Sequence, residues 1–364
     1  MAFYGIDLHS DSFVAAGMAA DGAIKTAKYY LEPVSFQKFK DQLTKEDYVL
    51  VEACTNAFWF YDQIIDLVKD CYVLDVNKFK AGINKTDKID VKKLVKRLAY
   101  YVTANGDNED LPLVYVPPKA VRELRALFST YQLNKKTITQ FKNRIHSLLK
   151  QNGYALPRKK IFGLEFRAKL LELPLGNTWK FQLQTLIKQL EALEAETDEI
   201  RLEIYKLGYQ LYPKEIEILL SIKGFSPLTA IALMSDVVDI NRFPSVKKFC
   251  AYLRTAPRVK SSNDKTIIGP TNRFSRSLTC TLMAQSVIHF AQIGSLETFY
   301  ERVKKGKKPS VSRMALIRKT LVCAYYMLKR ENLFYWVEDQ LYQQKLLELR
   351  ACVNSVSTVE NIAA

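Results

Sequence analysis

The sequence predicts an α/β unit followed by a mainly helical remainder, and three observations predict it. Residues 3–31 read as three short strands, with Asp21-Gly22 marking a hairpin turn. Helical and strand patterns then alternate up to Val116, which gives a mixed sheet with helices on its faces. Further on, apolar residues recur at alternating spacings of four and three: Trp179, Leu183, Leu186, Leu190, Leu193, Ile200, Ile204, Leu207 and Leu211, with Thr197 in the one polar gap. That is a heptad seam, the mark of a long coiled-coil helix.

Taken in order, a helix over 34–43 follows the three strands. A strand at 48–52, a helix from Asn56 to Val68 and a strand from Cys71 to Asp75 come next. The helix from Lys88 to Tyr101 buries Ile89, Leu94, Val95 and Leu98, and Leu113–Val116 closes the sheet. Pro117-Pro118 opens a long helix that Asn152-Gly153 stops. The heptad helix pairs either with this helix or with a second chain. After Pro213 the pattern is of short helices. Ile222 to Ala230 resembles a hairpin between two helices that offers backbone amides to a DNA phosphate, with an ordinary helix-turn-helix as the alternative. Residues 255–274 read as a polar, basic, exposed loop set. Helices return from 275 to 349, interrupted by the elbow Lys304-Lys305-Gly306-Lys307-Lys308-Pro309, and the tail after Cys352 is expected to fray. The divisions are therefore 1–116, 117–212, 213–330 and 331–364.

Charge narrows the function. The 364 residues carry a formal net charge of +16. Residues 117–160 hold eleven Lys and Arg against the single acid Glu123, and residues 242–330 hold nineteen against three. Concentration into two stretches suits a polyanionic partner. In the first stretch Arg122, Arg125, Lys135, Lys136, Lys142 and Arg144 are the residues expected to track a nucleic-acid backbone. In the second they are Arg258, Lys260, Lys265 and Arg273. Solvated helix faces are the competing reading. No apolar run reaches membrane-spanning length and no signal-peptide pattern is present, so a cytoplasmic protein is expected. The six cysteines form no Cys-x-x-Cys pair, and the three histidines are far apart, which argues against zinc and against a disulfide framework.

Four acids carry the chemistry. Asp7 ends the apolar run Phe3-Tyr4-Gly5-Ile6, and Glu52 ends Tyr48-Val49-Leu50-Val51. Asp87 and Asp90 are three apart at a helix start and share one helix face. Gathered together they repel, and cations must neutralise them. Oxygen ligands suit magnesium or manganese, and metal ions so held can activate an attacking oxygen at a phosphodiester. Each acid also has a plain role as a turn, cap or helix-start residue. Ser262 lies among Arg254, Arg258, Lys260 and Lys265, where positive charge favours attack on a phosphate. Ser261-Ser262-Asn263-Asp264 is equally a turn sequence.

These residues, Tyr4-Gly5-Ile6-Asp7-Leu8-His9, Val51-Glu52-Ala53 and Asn84-Lys85-Thr86-Asp87-Lys88-Ile89-Asp90, resemble the DEDD transposases of bacterial insertion sequences, a family that includes the Piv-type invertases. Gly224–Ala230, Phe243–Leu253, Pro257–Ser262 and Ile268–Arg273 look like that family's C-terminal transposase domain. The resemblance implies an RNase H-like (Holliday-junction-resolvase-like) N-terminal domain with Asp7, Glu52, Asp87 and Asp90 as a magnesium-binding tetrad. It implies Ser262 as a nucleophile, joined transiently to DNA, with Ser261 one position away. It further implies a composite site between subunits, donor and target DNA as partners, a structured non-coding bridge RNA as guide, and a dimer or tetramer. Asn263-Asp264 stand where the family often has glycine after the serine, and Val91 stands where it often has alanine.

The reading is thus a DNA recombinase. The alternatives are a magnesium-dependent junction nuclease without a covalent intermediate, a nucleic-acid-binding regulator without chemistry, and a sugar-kinase-like ATPase. The last lacks glycine-rich phosphate loops after Asp7.

Overall fold

The computed structural model describes residues 1–76, 87–104, 106, 111–157, 162–262, 265–269 and 278–360. At 87–90, 164–165, 258–262, 265–269, 278 and 355–360 it describes the backbone alone. The chain divides into two compact units, Met1–Pro117 and Pro118–Ala364.

The first unit is built on β1 (Phe3–Leu8), β2 (Ser12–Met18), β3 (Ile24–Tyr30), α1 (Pro33–Lys40), β4 (Tyr48–Glu52), α2 (Ala57–Ile64), β5 (Asp70–Leu74), α3 (Asp87–Thr103) and β6 (Leu113–Val114). Its described strands form one six-stranded sheet, ordered β3-β2-β1-β4-β5-β6. β1, β2 and β3 pair antiparallel, while β1, β4 and β5 run parallel. β1 lies at the centre, where alternate side chains enter opposite layers. Ile6 and Leu8 pack with Val49 and Val51 on the side of α1 and α2. Phe3 and Leu50 pack with Val91, Leu94, Val95 and Leu98 of α3 on the other. The edge strand β3 carries Lys25 and Lys28, which discourages pairing with a further strand.

Glycine at position 5 has a steric cause. A Cβ there would lie 2.8 Å from Val91 O, 2.8 Å from Val95 N and 2.9 Å from Leu94 Cβ. Only glycine lets the backbone of α3 sit directly on β1.

The second unit begins with α4 (Lys119–Gln151), α5 (Leu164–Leu171) and α6 (Asn177–Leu211). α6 packs along α4, so within this chain the heptad seam has an intramolecular partner. Leu183, Ile187 and Leu190 of α6 share a core with Ile138, Ile145 and Leu149 of α4. The polar gap is filled by buried Thr197, whose Oγ1 donates to Leu193 O at 2.6 Å. The helix α5 was not expected from the sequence.

Next come α7 (Pro213–Leu220), α8 (Pro227–Val237), α9 (Val246–Tyr252), β7 (Arg258–Ser262), β8 (Lys265–Gly269), α10 (Leu278–Gln285), α11 (Val287–Phe290), α12 (Gly294–Lys304), α13 (Pro309–Arg330) and α14 (Asp339–Glu360). Two expectations change. The polar stretch 255–274 contains an antiparallel ribbon, β7 on β8, rather than loops alone. The tail after Cys352 continues α14 to Glu360 rather than fraying. The first was hidden because β7 is built from Arg258, Lys260, Ser261 and Ser262, which are polar residues more typical of turns. In the second, the helix is anchored just before and after Cys352, with Leu349 buried in the main core of this unit and Val353 packed against it.

Candidate active site and nucleic-acid interface

The parallel pairing of β1 and β4 sets the first two acids side by side. Ile6 is in register with Val51, so Asp7 and Glu52 each follow a paired residue by one step. Both belong to the alternation set of Gly5 and Leu50, so both face the α3 layer. Asp7 is 16% exposed and its Oδ2 lies 3.7 Å from Nε2 of His9. Asn56 Nδ2 donates to His9 O at 2.9 Å, which ties the loop after β1 to the loop after β4.

The other two acids occupy the first turn of α3. Val91 and Val95 meet β1 at Gly5. Asp90 therefore precedes that contact by one residue on the helix, and Asp7 follows it by two residues on the strand. The backbone thus brings the start of α3 to the strand that carries Asp7. Among the residues with described side chains no three of the His, Cys, Asp and Glu type converge on one point, and Asp7 with Glu52 is the described pair.

Cys54 and His9 are neighbours of these acids that the sequence reading passed over. Partial burial pushes the Cys54 thiol up, and the charges of Glu52 and Asp7 act in the same direction. The thiol donates to Asn56 Oδ1 at 3.1 Å. Position was the missing signal: each residue lies two places beyond an acid at or next to the end of a strand.

In the second unit Ser262 is the last residue of β7, in register with Lys265 across a two-residue connection. Pleat alternation puts positions 258, 260, 262 and 265 on one face of the ribbon and 259, 261 and 266 on the other. Ser262 therefore shares its face with Arg258, Lys260 and Lys265, while Ser261 shares its face with Val259 and Thr266. Arg273 and the pair Asn263-Asp264 lie outside the described residues.

The basic residues of α4 divide into two groups. Lys135, Lys136 and Arg144 are exposed. Arg122 is half-buried. Arg125 turns inward and donates from Nε to Ser235 O at 2.8 Å and from Nη2 to Asp236 O at 3.2 Å. Lys142 pairs with Glu194 at 2.6 Å, and Arg167 binds the same carboxylate at 2.5 Å. Despite its partial burial, these two cations pull the Glu194 carboxyl below its ordinary value. Arg125 and Lys142 thus have structural duties. Phe128 is buried, and Tyr131 and Phe141 pack partly into the cores, so the aromatics among these cations are not base-stacking platforms.

The hairpin between α7 and α8 is present. Gly224 has φ +90°, and Ser226 caps α8 by accepting from Thr229 N at 3.2 Å. Its glycine is explained by packing, because a Cβ would lie 2.8 Å from Phe290 Cε1 and 2.9 Å from His289 Cβ. The Phe225 amide is spent on Ile222 O at 3.1 Å. Lys345 of α14 donates to both Leu220 O and Ile222 O at 3.0 Å. These contacts fix the geometry of the turn itself. No helix among the described residues is long and apolar enough to cross a membrane.

No curated protein matches the chain. Residues 216–301, which run from α7 into α12 and include the β7–β8 ribbon, match the family described as Transposase IS116/IS110/IS902. The match supports an insertion-sequence transposase, an enzyme that recombines DNA.

Proposed function

We propose that the protein cuts and rejoins DNA at the ends of its insertion sequence through a carboxylate site and a serine nucleophile. Asp7, Glu52, Asp87 and Asp90 hold magnesium, with manganese as a substitute, in an RNase H-like domain. The observation that carries this reading is the pairing of β1 with β4, which sets Asp7 and Glu52 at adjacent strand ends on the layer whose helix begins with Asp87 and Asp90. Two carboxylates so placed repel, and a divalent cation offsets that repulsion. When bound, the metal supplies charge stabilisation at the scissile phosphate.

Ser262 supplies the nucleophile. Its Oγ attacks phosphorus and forms a phosphoserine ester, while one sugar oxygen of the phosphodiester leaves and takes up a proton. A hydroxyl from another strand end then attacks the same phosphorus, releases Ser262 and rejoins DNA without net hydrolysis. The register favours Ser262 over Ser261, because Arg258, Lys260 and Lys265 share its face and stabilise charge at the phosphate. Lys135, Lys136 and Arg144 track the backbone of DNA or of a structured guide RNA transcribed beside the gene. The chain works as a dimer or tetramer in which the carboxylates of one subunit meet the serine of another.

The test is a strand-cutting and joining assay with magnesium, DNA bearing the element's ends and the flanking transcript. Asp7→Ala and Ser262→Ala should each lose joined product while retaining DNA binding. Normal recombination by Ser262→Ala would remove the serine step, and RNA dependence is read by omitting the transcript.

A further inference from the structure

The connection between α13 and α14 leaves aromatic surface in water, where connecting segments are ordinarily polar. Its sequence, Leu333-Phe334-Tyr335-Trp336-Val337, is an unbroken apolar run. Helix α13 ends on Glu331, which takes the left-handed conformation at φ +55°, and Asn332 N bonds back to Met327 O at 3.1 Å. The chain then turns at once into the core. Phe334 is buried there, and its amide donates to Ser221 Oγ at 2.9 Å. Ser221 is itself buried, and its hydroxyl donates to Ile218 O at 2.6 Å. With Phe334 turned inward, Leu333, Tyr335 and Trp336 are left 48%, 87% and 46% exposed. The Trp336 ring lies 5.7 Å from that of Phe334 and 5.2 Å from that of Tyr335, centroid to centroid. It also stands beside Gly294, where a Cβ would lie 3.9 Å from its Cε2. The core beneath thus holds the patch in place, which lowers the entropy cost of a contact made there.

Leu333, Tyr335 and Trp336 together expose apolar surface on the order of 300 Å², comparable with the largest patch on a typical monomer, and such patches mark interaction sites. Tyr and Trp are also the residues that dominate the centres of protein interfaces. Charge selects the partner. Residues 331–344 hold Glu331, Glu338 and Asp339 and no Lys or Arg, whereas residues 242–330 are strongly basic. Glu331 pairs with Lys214, and Glu338 pairs with Lys223 at 2.7 Å. The rim therefore sets three acids against two lysines that are already paired. The last cations of α13 are engaged elsewhere, Lys329 donating to Asn241 Oδ1 and Arg330 lying over the Tyr326 ring. A nucleic-acid backbone draws on cations free to meet phosphates, so this rim does not suit it. A second copy of the chain does suit it. Two copies that each carry a formal charge of +16 repel over their basic faces. A patch that is nearly neutral and holds both signs complements itself across a two-fold axis.

We propose that the α13–α14 connection is a self-association surface, where two copies of the chain meet about a two-fold axis with Tyr335 and Trp336 at its centre. The pairs Lys214–Glu331 and Lys223–Glu338 belong to its polar rim. The proposal rests on the reading that the protein works as a dimer or tetramer, and it names a surface for that contact.

The experiment is sedimentation equilibrium of the full-length protein, freed of nucleic acid by nuclease, over a range of concentrations and salt. The parent should associate reversibly. Tyr335→Ser should raise the dissociation constant at least about tenfold with an unchanged circular dichroism spectrum, as expected for the loss of an interface anchor. Tyr335 is far enough from the core that this variant tests the surface even if Trp336→Gln does not fold. Tyr100→Ser, at an exposed tyrosine of α3, should associate like the parent. Association should hold or strengthen as salt rises, because screening relieves the repulsion between two basic chains. Association that weakens with salt would show residual nucleic acid bridging the copies and would overturn the proposal. A parent that is monomeric throughout would remove the dimer reading and this surface together. A parent that associates no better than Tyr335→Ser would remove the surface alone. Lower affinity of Tyr335→Ser for single-stranded DNA, with association intact, would make the patch a base-stacking platform instead.

Discussion

Gly5 and Val91 meet backbone to backbone: a Cβ on the glycine would stand 2.8 Å from the valine's carbonyl oxygen. This contact joins the strand that carries Asp7 to the helix beginning with Asp87, so the approach of the two elements depends on the absence of one methyl group. Gly5→Ala should push α3 off the sheet and cost about 3 kcal/mol, at the upper end for overpacking because the obstacle is backbone. Chemical denaturation measures the loss. An unchanged midpoint would mean that α3 relaxes without cost.

Asp7 and Glu52 are neighbours across a parallel pair on one face of the sheet. Like charges so placed destabilise, and Glu52→Gln should raise metal-free stability by about 0.5 kcal/mol. The same variant should lose most of the thermal stabilisation that magnesium gives the parent, because binding to the folded state is what raises the transition. Thermal unfolding with and without magnesium reads both effects. A parent that ignores magnesium would count against the metal site.

Lys345 gives a pH dependence of definite sign. Burial lowers its amine from 10.5 to about 8, with Glu338 acting weakly against the shift. Between those values the unfolded chain binds the proton and the folded chain does not, so this residue's contribution to stability rises with pH from about 8 to about 10.5. Urea unfolding at about pH 7.5 and about pH 9.5 should show the parent gaining on Lys345→Met at the higher pH. A constant difference would place the amine in water, away from Leu220 O and Ile222 O.

The cations of α4 should separate by role. Replacing the exposed Lys135, Lys136 and Arg144 with glutamine should lower the slope of log affinity against log salt by about 2 to 3, if each meets one phosphate. Lys142→Gln should act on stability instead, because it takes a partner from Glu194 beside the buried Arg167. Salt titrations of nucleic-acid binding, paired with thermal unfolding, distinguish the two.

Much of the first unit was legible because its signals are local. The run Tyr48–Glu52 reads as a strand ending in an acid and folds as β4 over those same residues. The turn at Asp21-Gly22 is a turn, with Gly22 at φ +80°. The heptad pattern located α6, and tertiary packing chose α4 between the two partners that the sequence left open. Long-range relations were not readable. Nothing in the sequence shows that Arg125 caps the end of α8, since its donors reach carbonyls 110 and 111 residues away. The ribbon of β7 and β8 was missed because β7 is mostly polar and β8 carries only the pair Ile267-Ile268, so pairing, not hydrophobic alternation, defines them. Asp236 had no signal as an isolated acid in an apolar helix, since its partner Thr279 lies 43 residues further along the chain.

The central claim is that Ser262 bonds to DNA while carboxylates hold the metal. The direct measurement is denaturing electrophoresis of the protein after reaction with DNA bearing the element's ends, its flanking transcript and magnesium. The account predicts a protein–DNA adduct that resists denaturation, disappears in Ser262→Ala and fails to form in Asp7→Ala. Magnesium-dependent cleavage with no adduct, unaffected by Ser262→Ala and abolished by Asp7→Ala, would contradict it and identify a hydrolytic nuclease.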